Sequence, residues 1–302
     1  MEPEESEGGS KSVQEELFNV LPEGCIANVL SLTTPRDACR SSLVSSSFRS
    51  ASESDVVWER FLPIETEYME AIVSLSFSSK KHLFLHLCDH PLLIDDGKLS
   101  FSLDKTSGKK CYMLSPKELM IVWIETPEYW RWTCVPEARF PEVAELISVC
   151  WLEIRGRINT RMLSPATLYT AYFVFKTTTE SYGFENRPIE VAVGLVGAEI
   201  HNQTVYLNAE RRQNLRYRIL PRRRFGLFRH SGIMGYPAPQ PRETDDGSEY
   251  PKERADGWLE IELGEFFNGG EDGELEMSIL EVRGGDWKGG LIVQGIEIRP
   301  KP

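Results

Sequence analysis

"VCWLEIRGRI", residues 149–158, opens the series of segments that decides the fold. It is followed by "LYTAYFVFK" (168–176), "IEVAVGLVG" (189–197), "QTVYLN" (203–208), "GWLEIELGEF" (257–266), "ELEMSILEV" (274–282) and "GGLIVQGIEIRP" (289–300). Each is short, rich in branched and aromatic residues, and bounded by Gly, Asn, Asp or Pro, the composition of strands between turns. So many strands with no helix between them predict an antiparallel β-sandwich of jelly-roll type. No fixed-period repeat runs through them. One interruption, residues 221–256, has five prolines and mixed charge, which predicts a long surface loop.

Upstream of the strands the pattern is helical, so the fold class is a multidomain α and β chain: a small all-α bundle, then the sandwich. Residues 1–14 are acidic and rich in Ser and Gly, with almost nothing to bury, and are predicted disordered. Residues 15–62 read as a bundle of short helices. In "LPEGCIANVLS" (21–31) Pro22 stands at a helix start, with Ile26, Val29 and Leu30 at helical spacing. Thr34 can cap a second helix opened by Pro35, where Asp37 favours the positive end. Trp58 is set against Phe61 and Leu62 before Pro63 stops the run. Residues 63–110 read as a mostly helical connector. Near its end the period shifts, and "KLSFSLDKTSGKKCYML" (98–114) predicts two strands around a Thr-Ser-Gly turn. The sandwich is expected to occupy residues 111–302.

Composition narrows the function. At 302 residues the chain exceeds the usual single core. A net charge of −12 argues against a general nucleic-acid binder. No stretch has the apolar length of a membrane span, and the acidic N-terminus is unlike a signal peptide, so cytoplasm and nucleus are the expected locations. Six cysteines without a C-x-x-C pair read as reduced, mostly buried thiols. No nucleophile elbow, P-loop, dinucleotide fingerprint or H-E-x-x-H motif occurs, and no carboxylate pair stands out as a glycosidase pair. The chain reads as a non-catalytic one that needs no cofactor.

Three clusters remain. His82, His86 and His90, with Cys88 and Asp89, offer zinc-ligand types at helical spacing; exposed side chains at a domain junction are the plainer reading, and no metal is expected. Seven arginines between Arg211 and Arg224 suit an acidic partner or nuclear import, or form a solvated edge. "IVWIETPEYWRW" (121–132) puts Trp123, Trp130 and Trp132 around a Thr-Pro turn. Large aromatics usually fill interiors, yet an indole can also stack on an apolar ligand face while its N–H reaches a polar group.

The helical segment, residues 21–63, resembles an F-box, with Leu21-Pro22 at its head, Pro35 opening the second helix, Val44-Ser45 and Phe48 in the middle and Trp58 near the end. The resemblance implies docking to the Skp-type adaptor of a Skp–cullin–F-box ubiquitin ligase and, through it, to a cullin. A bundle this small can hardly bury all its apolar side chains alone. Leu21, Pro22, Ile26, Leu30 and Val44 are the docking candidates. Most of residues 111–302 resembles the plant phloem-lectin (Nictaba-like) family, through "IVWIETPEYWRW", "EVAELISVCWLEIRGRINT", "DGWLEIELGEFFNGGEDGELEMSILEV" and "WKGGLIVQGIEIRP". That resemblance implies a β-sandwich binding N-acetylglucosamine oligomers or N-glycans. It carries the family's ligand contacts onto Trp123, Trp130, Glu265 and Glu271, leaving Trp132 as the expected core ring. Two departures stand out: the turn before Glu271 is one residue shorter, and the Arg- and Pro-rich insertion replaces a lysine-rich loop. The combination implies a ligase receptor that captures a glycoprotein, with a sandwich that binds bare protein surfaces as the alternative.

Overall fold

The structure is a computed structural model that describes residues 21–63, 77–185, 187–198, 200, 202–208 and 250–301. These divide into two compact units, one reaching Tyr112 and taking in Arg299 onward, the other running Met113–Ile298. The acidic tail expected over 1–14, most of "YMEAIVSLSF" and the arginine cluster at 211–224 lie outside the described residues.

The first unit begins with α1 (Glu23–Leu30), α2 (Pro35–Ser41), α3 (Ser46–Glu53) and α4 (Asp55–Glu59). Thr34 caps α2 as expected, its hydroxyl oxygen accepting from the Asp37 N–H at 3.1 Å, and Ser45 does the same for α3 through the Phe48 N–H. Trp58 is fully buried, donates its indole N–H to Ser52 O at 2.7 Å, and packs against Phe61 and Phe84. Phe84 belongs to α5 (Lys80–Asp89), the single α-helix among the described residues of the connector, which also holds a 3-10 turn at Asp95–Gly97. Of the mostly helical connector expected over 63–110, residues 64–76 lie outside the described residues, and the described part is helical at first and then turns to strands. Pro91 disfavours helical backbone at His90, which turns extended, and the chain enters β1 (Leu92–Ile94), antiparallel to β2 (Leu99–Leu103). Asp95 and Asp96 reverse the chain between them at φ 49° and 52°. β3 (Lys110–Leu114) follows the Thr-Ser-Gly turn, as the sequence predicts.

The second unit is the predicted antiparallel sandwich. Its strands are β4 (Met120–Ile121), β5 (Trp130–Thr133), β6 (Val143–Leu146), β7 (Leu152–Asn159), β8 (Thr167–Tyr182), β9 (Ile189–Leu195), β10 (Asn202–Val205), β11 (Lys252–Glu253), β12 (Leu259–Asn268), β13 (Glu274–Glu281) and β14 (Gly289–Pro300). One sheet orders β14-β8-β12-β11, with β6 on β14 and β5 on β6; the other orders β10-β9-β13-β7-β4. Alternation decides which side chains go inside. On β7, Leu152, Ile154 and Ile158 are buried while Glu153, Arg155 and Arg157 face out; on β13, Leu275, Met277 and Ile279 are the buried set. Tyr169, Phe173 and Phe175 of β8 and Leu291, Val293 and Ile296 of β14 add to the buried core from the opposite sheet. Gly295 sits at φ 148°, and a Cβ there would meet Leu114 O at 2.0 Å, so only glycine lets these backbones approach.

The loop expected over 221–256 closes earlier than its end. Tyr250 is buried and stacks on Tyr206, β11 pairs with β12, and Arg254 pairs with Glu260 and Glu297. Arg254 has too many carboxylate partners to belong to a solvated loop.

Candidate functional site

Strand pairing fixes where each candidate side chain lies. Ile121 pairs with Ile154 of β7, and the Val122 N–H donates to Glu153 O, so Trp123 sits where β7 begins. Trp130 opens β5, pairs with Leu146, and donates its indole N–H to Val122 O at 3.2 Å. Glu271 sits where β7 ends: the Thr160 hydroxyl donates to Glu271 O at 2.6 Å, and Asn159 donates to Asp272. Buried Asn268 bonds Thr160 O and Ser164 O, pinning the same end. Glu265 pairs with Thr170 near the start of β8, the strand entered from that end, after a bulge between Glu262 and Gly264.

The four residues expected to share a sugar site therefore do not form one site. The eight residues of β7 rise about 3.3 Å each, which separates the Trp123–Trp130 pair from Glu271 by roughly 25 Å. Glu265 and Glu271 are both exposed, at the far end. The expected order of the two rings is also reversed. Trp130 is 3 % exposed, whereas Trp132 is half-buried, with Lys117 Nζ 5.8 Å from its ring centroid. Neighbouring residues of a strand face opposite ways, but alternation cannot say which of two residues of one parity lies deeper.

At the Trp123 end lies an open groove of about 540 Å³, lined by Ile124, Glu125, Pro127, Trp130, Arg131, Trp132 and Ile147. Its walls are apolar and aromatic, and its polar groups are Glu125 and Arg131, the latter paired with Glu145 at 2.7 Å. Such a surface, apolar with a few placed polar groups, is the ordinary form of a small-ligand site. Trp123 lies beside it, 42 % exposed, its ring 5.3 Å from that of Tyr129. Its φ of 62° is unusual for a bulky side chain.

On the outer face of β7 and β13 runs a charge ladder: Arg155 bonds Glu153 and Glu276, and Arg157 bonds Glu274 and Glu276. The Arg155 hydrogen bond holds the Glu153 carboxyl below its ordinary range.

In the helical unit the docking candidates divide. Leu21, Pro22 and Val44 are exposed, but Ile26 and Leu30 are buried, because they share with Ala27 the face of α1 that packs on the bundle. Those two are core residues, which corrects the expectation. Val29, Leu32, Leu43 and Val56 are exposed instead; Val29 lies three residues from Ile26, a helical spacing that by itself does not separate the outer side chain from the buried ones. A cleft of about 400 Å³ beside Leu43 is lined by Pro35, Arg36, Cys39, Arg40, Trp58 and Phe84, among others.

The cysteines are less buried than expected: Cys25, Cys39 and Cys134 are exposed, and Cys111 alone is buried. His86 stacks on His90 and the His82 ring bonds Ser78, while burial, reinforced by Asp89, pushes the Cys88 thiol up to about 12, far from a ready thiolate ligand. Among the described residues no group of three or more His, Cys, Asp or Glu is placed to hold a metal, and no helix is long and apolar enough to cross a membrane.

Comparison with known proteins agrees with this architecture. Residues 18–63 match the F-box-like family and residues 109–300 the phloem protein 2 family, which defines an F-box protein with a lectin-like domain. The putative F-box protein PP2-B12 of Arabidopsis thaliana is 48% identical over 94% of this chain and 98% of its own length. F-box protein PP2-B10 of the same plant is 46% identical over 94% of each chain. The chain belongs to the PP2-B family of F-box proteins.

Proposed function

We propose that the chain is the substrate receptor of a Skp–cullin–F-box ubiquitin ligase and that its sandwich captures targets through glycans. The observation that carries the first half is the set of exposed apolar side chains on a matched F-box: Leu21, Val29, Leu32, Leu43, Val44 and Val56. A bundle that leaves these in water gains by burying them on an adaptor. Arg36 and Arg40 at the cleft beside Leu43 suit a partner whose apolar segment carries acid. The chemistry of ubiquitin transfer belongs to other subunits of such a ligase.

The groove between Trp130 and Trp132 supports the second half. Aromatic walls with Glu125 and Arg131 at the rim match a sugar, which has apolar faces and hydroxyl edges. Adaptor pulldown tests the first half: Leu32→Glu and Leu43→Glu should abolish it, whereas Glu265→Gln should not. Titration with N,N′-diacetylchitobiose tests the second. Trp132→Ala should weaken binding and Glu271→Gln leave it unchanged; no binding by wild type would favour a sandwich that reads bare protein surfaces.

A further inference from the structure

The loops at the groove end carry more exposed aromatic surface than the groove itself. Of the chain's tryptophans, Trp123, Trp151 and Trp287 are exposed, at 42 %, 44 % and 53 %, and all three lie at this end. Trp123 follows β4, Trp151 precedes β7, and Trp287 precedes β14; Val149 and Lys288 bridge the last two loops. Tyr182, 42 % exposed, closes β8 at the same place, where its hydroxyl bonds that of Ser148 at 2.6 Å. The opposite end has no exposed tryptophan.

These rings are held. The Trp151 indole N–H donates to Glu153 at 3.2 Å, Trp287 is anchored by the fully buried Lys288, which pairs with Glu281, and Trp123 occupies a backbone conformation that costs energy. A bulky residue held at positive φ with its ring in water gains nothing for the core. Trp123 and Trp151 adjoin neighbouring strands, about 4.8 Å apart at the backbone, and Trp287 follows across the Val149–Lys288 bridge, so the rings are spread over successive loops, a row that suits an oligosaccharide better than one sugar. Carboxylates occur among these loops: Glu125 lines the groove, Glu153 accepts from Arg155 and the Trp151 indole, and Asp286 pairs with Arg187; each carboxylate oxygen has a further lone pair for a hydroxyl. The cations here, Arg131, Arg187, Arg283 and Lys288, already pair with Glu145, Asp286, Glu190 and Glu281. An anionic glycan would find no unpaired partner among them.

We infer that this end of the sandwich is an extended binding face for a neutral oligosaccharide, in which Trp151 and Trp287 stack on sugars beyond those held in the groove. The inference rests on the glycan reading above. Full-length wild type, Trp151→Ala and Trp287→Ala are titrated with N,N′-diacetylchitobiose and with chitohexaose, alongside thermal melts. Both variants should melt like wild type, bind the disaccharide like wild type, and bind the hexasaccharide about threefold to tenfold more weakly. Unchanged hexasaccharide binding in both variants overturns the inference while disaccharide binding keeps the glycan reading, and leaves the face to a protein partner. Wild type that binds neither probe overturns both. Tighter binding of a sulfated than of a neutral oligomer also overturns it.

Discussion

Trp130 donates its indole N–H to the carbonyl oxygen of Val122 across the Thr-Pro turn, at 3.2 Å, with the ring almost wholly buried. That bond ties the start of β5 to the end of β4 and makes Trp130 the floor of the groove. Trp130→Ala should cost about 3–5 kcal/mol, as for other buried aromatic truncations, and Trp130→Phe less. Trp132→Ala should cost less than Trp130→Ala, because Trp132 is half-exposed. Denaturant melts of the three variants decide; a Trp130→Ala midpoint equal to that of wild type would contradict the placement.

Trp123 pays at the backbone for its position. Left-handed backbone costs a side-chain-bearing residue about 1–2 kcal/mol, a penalty that glycine escapes. Trp123→Gly should therefore be more stable than Trp123→Ala by roughly 1 kcal/mol. Chemical denaturation of the pair checks this, and the reverse order would show that the positive φ is not held in solution.

Lys288 is fully buried, pairs with Glu281 at 2.5 Å and donates to Cys150 O and Asp286 O. Removing one partner of such a pair strands the other charge, so Lys288→Met should cost about 3–5 kcal/mol. The double change Lys288→Met with Glu281→Leu should recover much of that loss. A double variant no better than the single one would count against the ion pair.

Capping and strand composition were legible in the sequence because they are local: Thr34 with Pro35 sets the start of α2 whatever lies around it. The sandwich was legible for the same reason, as a succession of strand-like runs. The site was not, because it depends on pairing between distant strands. Trp123 and Glu271 both fall in recognisable motifs, yet only the register of β4 on β7 reveals that they occupy opposite ends. Ile26 and Val29 are both apolar on α1, and the bundle's packing alone determines which is core. At the connector, Pro91 carried a local signal that outweighed the helical run before it.

Acid should loosen the outer ladder of β7. Glu153 is held below its ordinary value near 4.5, chiefly by the Arg155 hydrogen bond. A depressed carboxylate contributes stability above its unfolded value, and that contribution disappears as pH falls through the folded one. Solvent near the sheet surface limits the effect. Melting temperature should thus drop more between about pH 5 and pH 3 for wild type than for Glu153→Gln. Parallel curves would contradict the pairing with Arg155.

The receptor reading joins an adaptor surface to a glycan surface in one chain, so the most direct measurement captures both at once. Full-length protein is mixed with a Skp-type adaptor, passed over chitin beads, and eluted with free chitin oligomer. Wild type should hold the adaptor on the beads, Leu43→Glu should bind the beads without the adaptor, and Trp132→Ala should lose both. Adaptor missing from beads that retain wild type, or Trp132→Ala retained as well as wild type, would contradict it.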